Sequence, residues 1–302
     1  MADCRKKIVF LTVILACSIP LSAAQIHNAA NSGQINQLRA MLAENPAIAN
    51  IKDNDGFTPL HKAAHKGYVD VAEFLINNGA DIDAKTNNGF TPLHLATFKN
   101  NEDMVELLRK HEIIHAVKTA NLTELKSLLI KFTLAEKLDL VNAQDKDGKT
   151  PLQWAVINNH MNLIKLLFKY NADINTKDNN GWTSLHYAVA TGNKNLTEFL
   201  LKCGAAIDQK NNYGRTPLHV AAFEGYRDIV DLLIKYNAAV DPKNERDETP
   251  LHVATMNGHT NIVKMLLAKN AMVNTNTDNG WTPVHYACAM GHKDALRILA
   301  QA

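Results

Sequence analysis

A tetrapeptide recurs along this chain at a fixed interval, and that interval constrains the fold more than any other feature. The copies are Thr58-Pro59-Leu60-His61, Thr91-Pro92-Leu93-His94, Thr150-Pro151-Leu152-Gln153 and Thr183-Ser184-Leu185-His186. They continue with Thr216-Pro217-Leu218-His219, Thr249-Pro250-Leu251-His252 and Thr282-Pro283-Val284-His285. The first two copies, and separately the last five, are spaced at 33 residues. A unit of that length cannot bury its apolar face alone, so such units must stack on one another.

Each copy also carries its own helix signals. The Thr can cap a helix by accepting from a free backbone N–H, and Pro suits the first helical position because its missing N–H costs nothing there. Three residues after the Leu position comes a small residue in every copy: Ala63, Ala96, Ala155, Ala188, Ala221, Ala254 and Ala287. Seven after it, Gly67, Gly192, Gly225, Gly258 and Gly291 end the helix, with Asn100 and Asn159 as the next best left-handed caps. A second helix follows with apolar spacing such as Ile229, Val230, Leu232 and Leu233. It ends at Gly79, Gly204, Asn171, Asn237 or Asn270. Between copies, Asn88-Gly89, Asn180-Gly181 and Asn279-Gly280 signal tight turns. Each unit therefore reads as a hairpin tip, an inner helix and an outer helix.

The pattern Thr-Pro-Leu-His-x-Ala at this period resembles the ankyrin repeat, over essentially the whole chain from about Gln25. The resemblance implies a mainly α solenoid of β-hairpin plus helix-turn-helix units. Two further copies are degenerate: Ile26-His27-Asn28-Ala29-Ala30 with Gly33, and Ile114-His115-Ala116-Val117 followed by Leu122, Leu125, Leu128 and Leu129. That makes about nine units.

The spacing breaks once. Leu93 to Ile114 is 21 residues, twelve short of the period, and Ile114 to Leu152 is 38. The outer helix of the third unit is therefore expected to run almost directly into the next inner helix through Lys110-His111-Glu112, with no hairpin between. Both degenerate units start Ile-His, have Gly33 or Asn121 at the helix-ending position, and lead to an Asp-x-x-Gly turn (Asp53 to Gly56, Asp145 to Gly148). The expected organisation is residues 1–24 as a signal, 25–111 as an array of repeats 1–3, and 112–302 as an array of repeats 4–9. The solenoid is expected to kink near 109–113.

The signal reading rests on Arg5, Lys6 and Lys7, the apolar run Ile8 to Cys17, and the small residues ending at Ala24. The apolar run is too short to span a bilayer as a helix of roughly 20 residues would. An exported chain, secreted or periplasmic, is the expectation. An uncleaved anchor or lipidation at Cys17 remains open. Cleavage would remove Arg5, Lys6, Lys7 and Asp3, leaving the charges balanced, and would leave Cys203 and Cys288 as the remaining thiols. Those two fall three units apart, too far for the roughly 7 Å Cα separation a disulfide allows. Cys288, on an inner helix, is expected at a small buried position.

Charge and motifs narrow the chemistry. Lys plus Arg is 32 against 30 Asp plus Glu, which lacks the basic excess of a nucleic-acid binder. Histidines occurring once per unit form a ladder rather than a metal cluster. The ankyrin resemblance implies that this His ties hairpin to helix by hydrogen bonds. No nucleophile stands at a recognised spacing from a base, and no phosphate loop is present. The expectation is no catalytic residue, no metal and no cofactor, so not an enzyme. Asn121-Leu122-Thr123 and Asn195-Leu196-Thr197 match the glycosylation sequon.

The resemblance further implies that a partner docks on the concave face of tips and inner helices. The tip position before each Thr holds Phe57, Phe90, Lys149, Trp182, Arg215, Glu248 and Trp281. A second exposed family position, late in the inner helix, includes Phe98, Phe223 and Met256. Aromatics and Arg anchor interfaces, so the candidate partner-binding residues are Phe57, Phe90, Trp182, Arg215, Trp281, Phe98, Phe223 and Met256. A competing expectation is that each tip aromatic only packs on the next hairpin. The functional expectation is an exported monomer that binds a protein partner, a secreted effector being one version, with no nucleic acid and no membrane insertion of the mature chain. The alternative is a recruiting or targeting subunit of an enzyme or toxin complex.

Overall fold

Every full motif starts a helix in the way its residues dictate. The computed structural model describes residues 23–131 and 133–302. The segment expected to be an export signal, apart from its last two residues, and Cys17 lie outside them. Inner helices run over Pro59–Lys66, Pro92–Phe98, Pro151–Ile157, Ser184–Ala190, Pro217–Glu224, Pro250–Met256 and Pro283–Ala289. Thr58 Oγ1 accepts from the His61 N–H at 3.4 Å, and the His61 ring returns a bond to the Thr58 backbone. Each outer helix, such as Val69–Asn77 or Arg227–Lys235, follows after a left-handed residue, Gly67 at φ +78° and Gly225 at φ +77° in these two cases. Asn100, Asn159, Asn171, Asn237 and Asn270 take the same conformation in place of glycine.

Packing outweighs these local terms. Leu60, Leu152, Leu185, Leu218 and Leu251 are all fully buried. Burying one such side chain contributes roughly 2 kcal/mol, against about 1 kcal/mol for a cap. The alanines three residues on are fully buried too, apart from a trace of exposure at Ala287.

The tips are closed turns, and no strand occurs among the described residues. The Asp53 N–H donates to the Phe57 carbonyl at 2.9 Å, and the Asp53 side chain accepts from Asp55 and Phe57 N–H at 3.1 and 2.9 Å. Consecutive tips are tied by one backbone bond each: Asn87 to Asp55 (3.0 Å), and in the later repeats Asn179 to Asp147 (3.1 Å), Asn212 to Asn180 (3.0 Å) and Glu245 to Tyr213 (3.1 Å). The approach is close enough that a Cβ on Gly214, at φ +68°, would meet the Glu245 nitrogen at 2.7 Å.

The missing hairpin after the third repeat is replaced by one helix, Glu102–Lys118. Its register corrects the sequence alignment by one residue. Ile113, Ala116 and Val117 are fully buried, and Ala120 is the left-handed residue at φ +58°. The Asn121 N–H donates to the Ala116 carbonyl (2.8 Å), as Tyr68 does to Ala63 (3.1 Å) and Gln34 to Ala29 (2.9 Å). Ile113 therefore stands where Leu60 and Ile26 stand, Ile114 takes the histidine position, and Asn121 caps the next helix, Leu122–Ile130. An additional helix, Leu134–Val141, accounts for the extra residues before the Asp145 turn.

The described chain forms two compact units, one up to His115 and one from Ala116 to Ala302. In the first, Leu38, Leu60, Val71, Leu75, Met104 and Leu108 form the core. In the second, Leu125, Leu152, Leu163, Ile164, Leu185, Leu200 and their counterparts in later repeats are buried. Cys288 is exposed, against expectation, as is Cys203; both are free thiols. Cys288 lies on the inner helix of the ninth repeat. No helix among the described residues is long and apolar enough to cross a membrane.

Candidate functional site

The histidine ladder sets the tips. The Thr58 N–H donates to His61 Nδ1 at 3.1 Å, which makes that nitrogen an acceptor; Nε2 then carries the proton and donates to the Phe90 carbonyl at 3.0 Å. His186 reaches Arg215 (3.1 Å), His219 reaches Glu248 (3.0 Å), and His252 reaches Thr275 (2.9 Å) in the same way. Each accepting carbonyl belongs to the next tip or the strand-like approach to it, so the ring holds consecutive repeats together. Gln153 does the same without titrating: its Oε1 accepts from Thr150 N–H (2.8 Å) and its Nε2 donates to the Trp182 carbonyl (2.8 Å). Burial holds His61, His186, His219 and His252 below the usual histidine value, to about 4 for His186 and His219.

A second tie escaped the sequence reading. A donor four residues after the motif Thr reaches the acid five residues before it: Lys62 to Asp53 (2.6 Å), Trp154 Nε1 to Asp145 (2.8 Å), and Tyr187 to Asp178. Burial alone would raise Asp145, but bonds from Trp154, the Lys149 N–H and Lys118 outweigh it and hold the carboxyl low. The Tyr187 hydroxyl is pushed up by burial and by Asp178. The signal was present as a nine-residue spacing of acid and donor, hidden because the donor type changes from repeat to repeat.

On this frame the eight candidate residues divide between the two units. In the first, Phe57, Phe90 and Phe98 border one hollow of about 520 Å³, together with His65, His94 and Leu95. Phe57 and Phe90 stand edge-on to their own motif histidines, with centroids 5.8 and 6.2 Å apart. Phe90 is 49% exposed and Phe98 78% exposed. His94 bonds Thr91 through Nδ1 but meets no tip carbonyl, because the third tip does not exist. Its ring stays exposed and contributes to the hollow.

In the second unit, Trp182 is half-buried and stacks on His186 and Tyr187, at 5.6 and 5.1 Å. Trp281, 37% exposed, repeats this with His285 and Tyr286. Arg215 lies over the Phe223 ring at 5.9 Å, and Met256 is half-buried at the end of its helix. The tryptophans thus pack within their own repeats while keeping one part in solvent. Glu248, at the equivalent tip position, is buried and bonds Asn244 (2.8 Å) and Tyr286 (3.1 Å).

The family description "Ankyrin repeats (3 copies)" matches residues 26–120, 170–244 and 236–302, and "Ankyrin repeats (many copies)" matches residues 134–188. Similar curated proteins include Ankyrin repeat domain-containing protein 49 of Drosophila melanogaster, 44% identical over 48 residues, 16% of this chain and 22% of that protein. Human Inversin is 28% identical over 164 residues, half of this chain but 15% of that protein. Human Protein phosphatase 1 regulatory subunit 27 is 38% identical over 68 residues, 22% of this chain and 44% of that protein. The matched stretches therefore span less than half of each of these relatives.

Proposed function

The chain belongs to the ankyrin-repeat family, whose members typically serve as protein-interaction modules, and from that premise we propose that it binds a protein partner on the face formed by its tips and inner helices. The observation that carries this is the ring of every tip aromatic: each is anchored on one side by its own motif histidine and keeps another part in solvent. A half-held aromatic loses little side-chain freedom on binding, which is the property of an interface anchor. Export through the 1–24 segment, with a role outside the producing cell, completes the proposal; sequencing the mature N-terminus tests it. The chain acts as a monomer and as a binder rather than a catalyst in this reading.

The test is affinity capture with the full chain, compared with Trp182→Ala combined with Trp281→Ala. The expected result is loss of captured partner with an unchanged helical circular dichroism spectrum. Undiminished capture counts against this face. A second reading, a recruiting subunit of an enzyme complex, is favoured by one observation: a similar protein is by its name a phosphatase regulatory subunit. Co-capture of an enzyme whose activity changes on adding the chain would select it.

A further inference from the structure

The hollow of the first unit carries charge of one sign. Its lining holds Lys62 and Lys66 and no carboxylate. Lys99 stands beside it, its Nζ 5.7 Å from the Phe98 ring. His65, on the wall, is held below its usual value by burial and then by Lys99, Lys66 and Lys62, so three ammonium groups act on one point of the hollow. Lys62 is neutralised by Asp53 at 2.6 Å. Lys66 and Lys99 have no acidic partner among the described residues. The volume falls within the roughly 300–1,000 Å³ of specific binding pockets. Phe98, most of its surface in water, forms one apolar wall.

Resting on the reading of this chain as a partner-binding module, we propose that this hollow seats an acidic peptide segment of the partner. One bulky apolar side chain enters between Phe57, Phe90 and Phe98, and flanking Asp or Glu residues meet Lys66 and Lys99. Two uncompensated cations beside an apolar wall select that combination, because the partner's charges neutralise them while its anchor covers the rings. Single-stranded nucleic acid fits less well. Base stacking needs an open ring face, and the Phe57 face is already covered by Lys62 at 4.2 Å.

The experiment pans a display library of random dodecapeptides on the full chain, then measures the enriched peptides, fluorescently labelled, by anisotropy. The expected winners carry one Leu, Phe or Trp flanked by Asp or Glu. Phe98→Ala, and Lys66→Glu combined with Lys99→Glu, should each weaken them about tenfold or more, equivalent to about 1.4 kcal/mol of binding free energy. All three positions are exposed, so a thermal melt should be unchanged. Trp182→Ala with Trp281→Ala should leave these peptides bound. No enrichment, winners that are basic or lack an anchor, indifference to both variants, or displacement by oligothymidylate would each overturn the proposal. If the peptides fail while captured partner still depends on Trp182 and Trp281, only this inference falls. If neither surface matters to capture, the interaction reading falls with it.

Discussion

A buried imidazole with both nitrogens bonded in its neutral form has no place for a second proton. In His186 and His219 the Nδ1 lone pair already accepts from the motif Thr N–H, at 3.2 and 3.1 Å. Their values near 4, against 6.5 for a free histidine, mean that the unfolded chain binds more protons between those limits. Stability therefore rises with pH in that window and is lost as pH falls through it, by roughly 2 kcal/mol per histidine at pH 5. Urea midpoints measured at pH 7 and pH 5 should show the drop. Replacing both by Gln should reduce it, leaving the part owed to His61 and His252, since Gln153 already makes both bonds in the fifth repeat. An unchanged pH dependence in that variant would reject the assignment.

A second expectation at this scale concerns Ala120, which holds φ +58° at an exposed position where other repeats use Gly or Asn. A left-handed Ala costs about 1–2 kcal/mol, so Ala120→Gly should stabilise the chain by about 1 kcal/mol in chemical denaturation. This residue was misread from sequence. An Asn next to an Ala looks like the left-handed cap, and only the burial of Ile113, Ala116 and Val117 settles the register.

At the scale of elements, the fused helix Glu102–Lys118 carries the one break in the periodicity. The loss of the tip was legible, because an interval twelve residues short leaves no room for one, but the fusion of the two helices into one was not. Continuous hydrogen bonding through Lys110 makes a specific demand on that position. Lys110→Pro should cost about 3 kcal/mol or more by removing a bond and crowding the preceding turn, whereas Lys110→Ala should be near neutral. The Lys110 pair with Glu106 is an exposed i,i+4 contact and adds little. Equal stability of the two variants, read from urea midpoints, would show that the helix is interrupted there. The tips show the opposite case. Tight turns were readable from Asn-Gly pairs, but the acid-to-donor tie was not. Lys, Trp and Tyr do the same work only once the inner helix brings them beside the tip.

For the whole molecule, stacked repeats contact only their neighbours, so the effect of a substitution stays local. Trp182 and Trp281 lie three repeats apart, and the stability costs of their Ala variants should add within about 0.5 kcal/mol. That additivity is what lets the capture experiment read binding rather than unfolding. The acidic-peptide test uses a third location for the same reason, on the first unit alone.

The repeat period, the two helices of each unit and the caps of the seven full motifs were determined by the sequence itself. Those features depend on residues within a few positions of one another, where spacing alone sets geometry. The tertiary structure decided the rest. It placed Ile113 rather than Ile114 at the motif leucine position, exposed Cys288, buried Glu248, and gathered Phe57, Phe90 and Phe98 around one hollow while leaving the tryptophans in separate repeats. These outcomes follow from which repeat packs on which, and above all from the absent third tip. Without it His94 has no carbonyl to hold, and its ring stays in solvent.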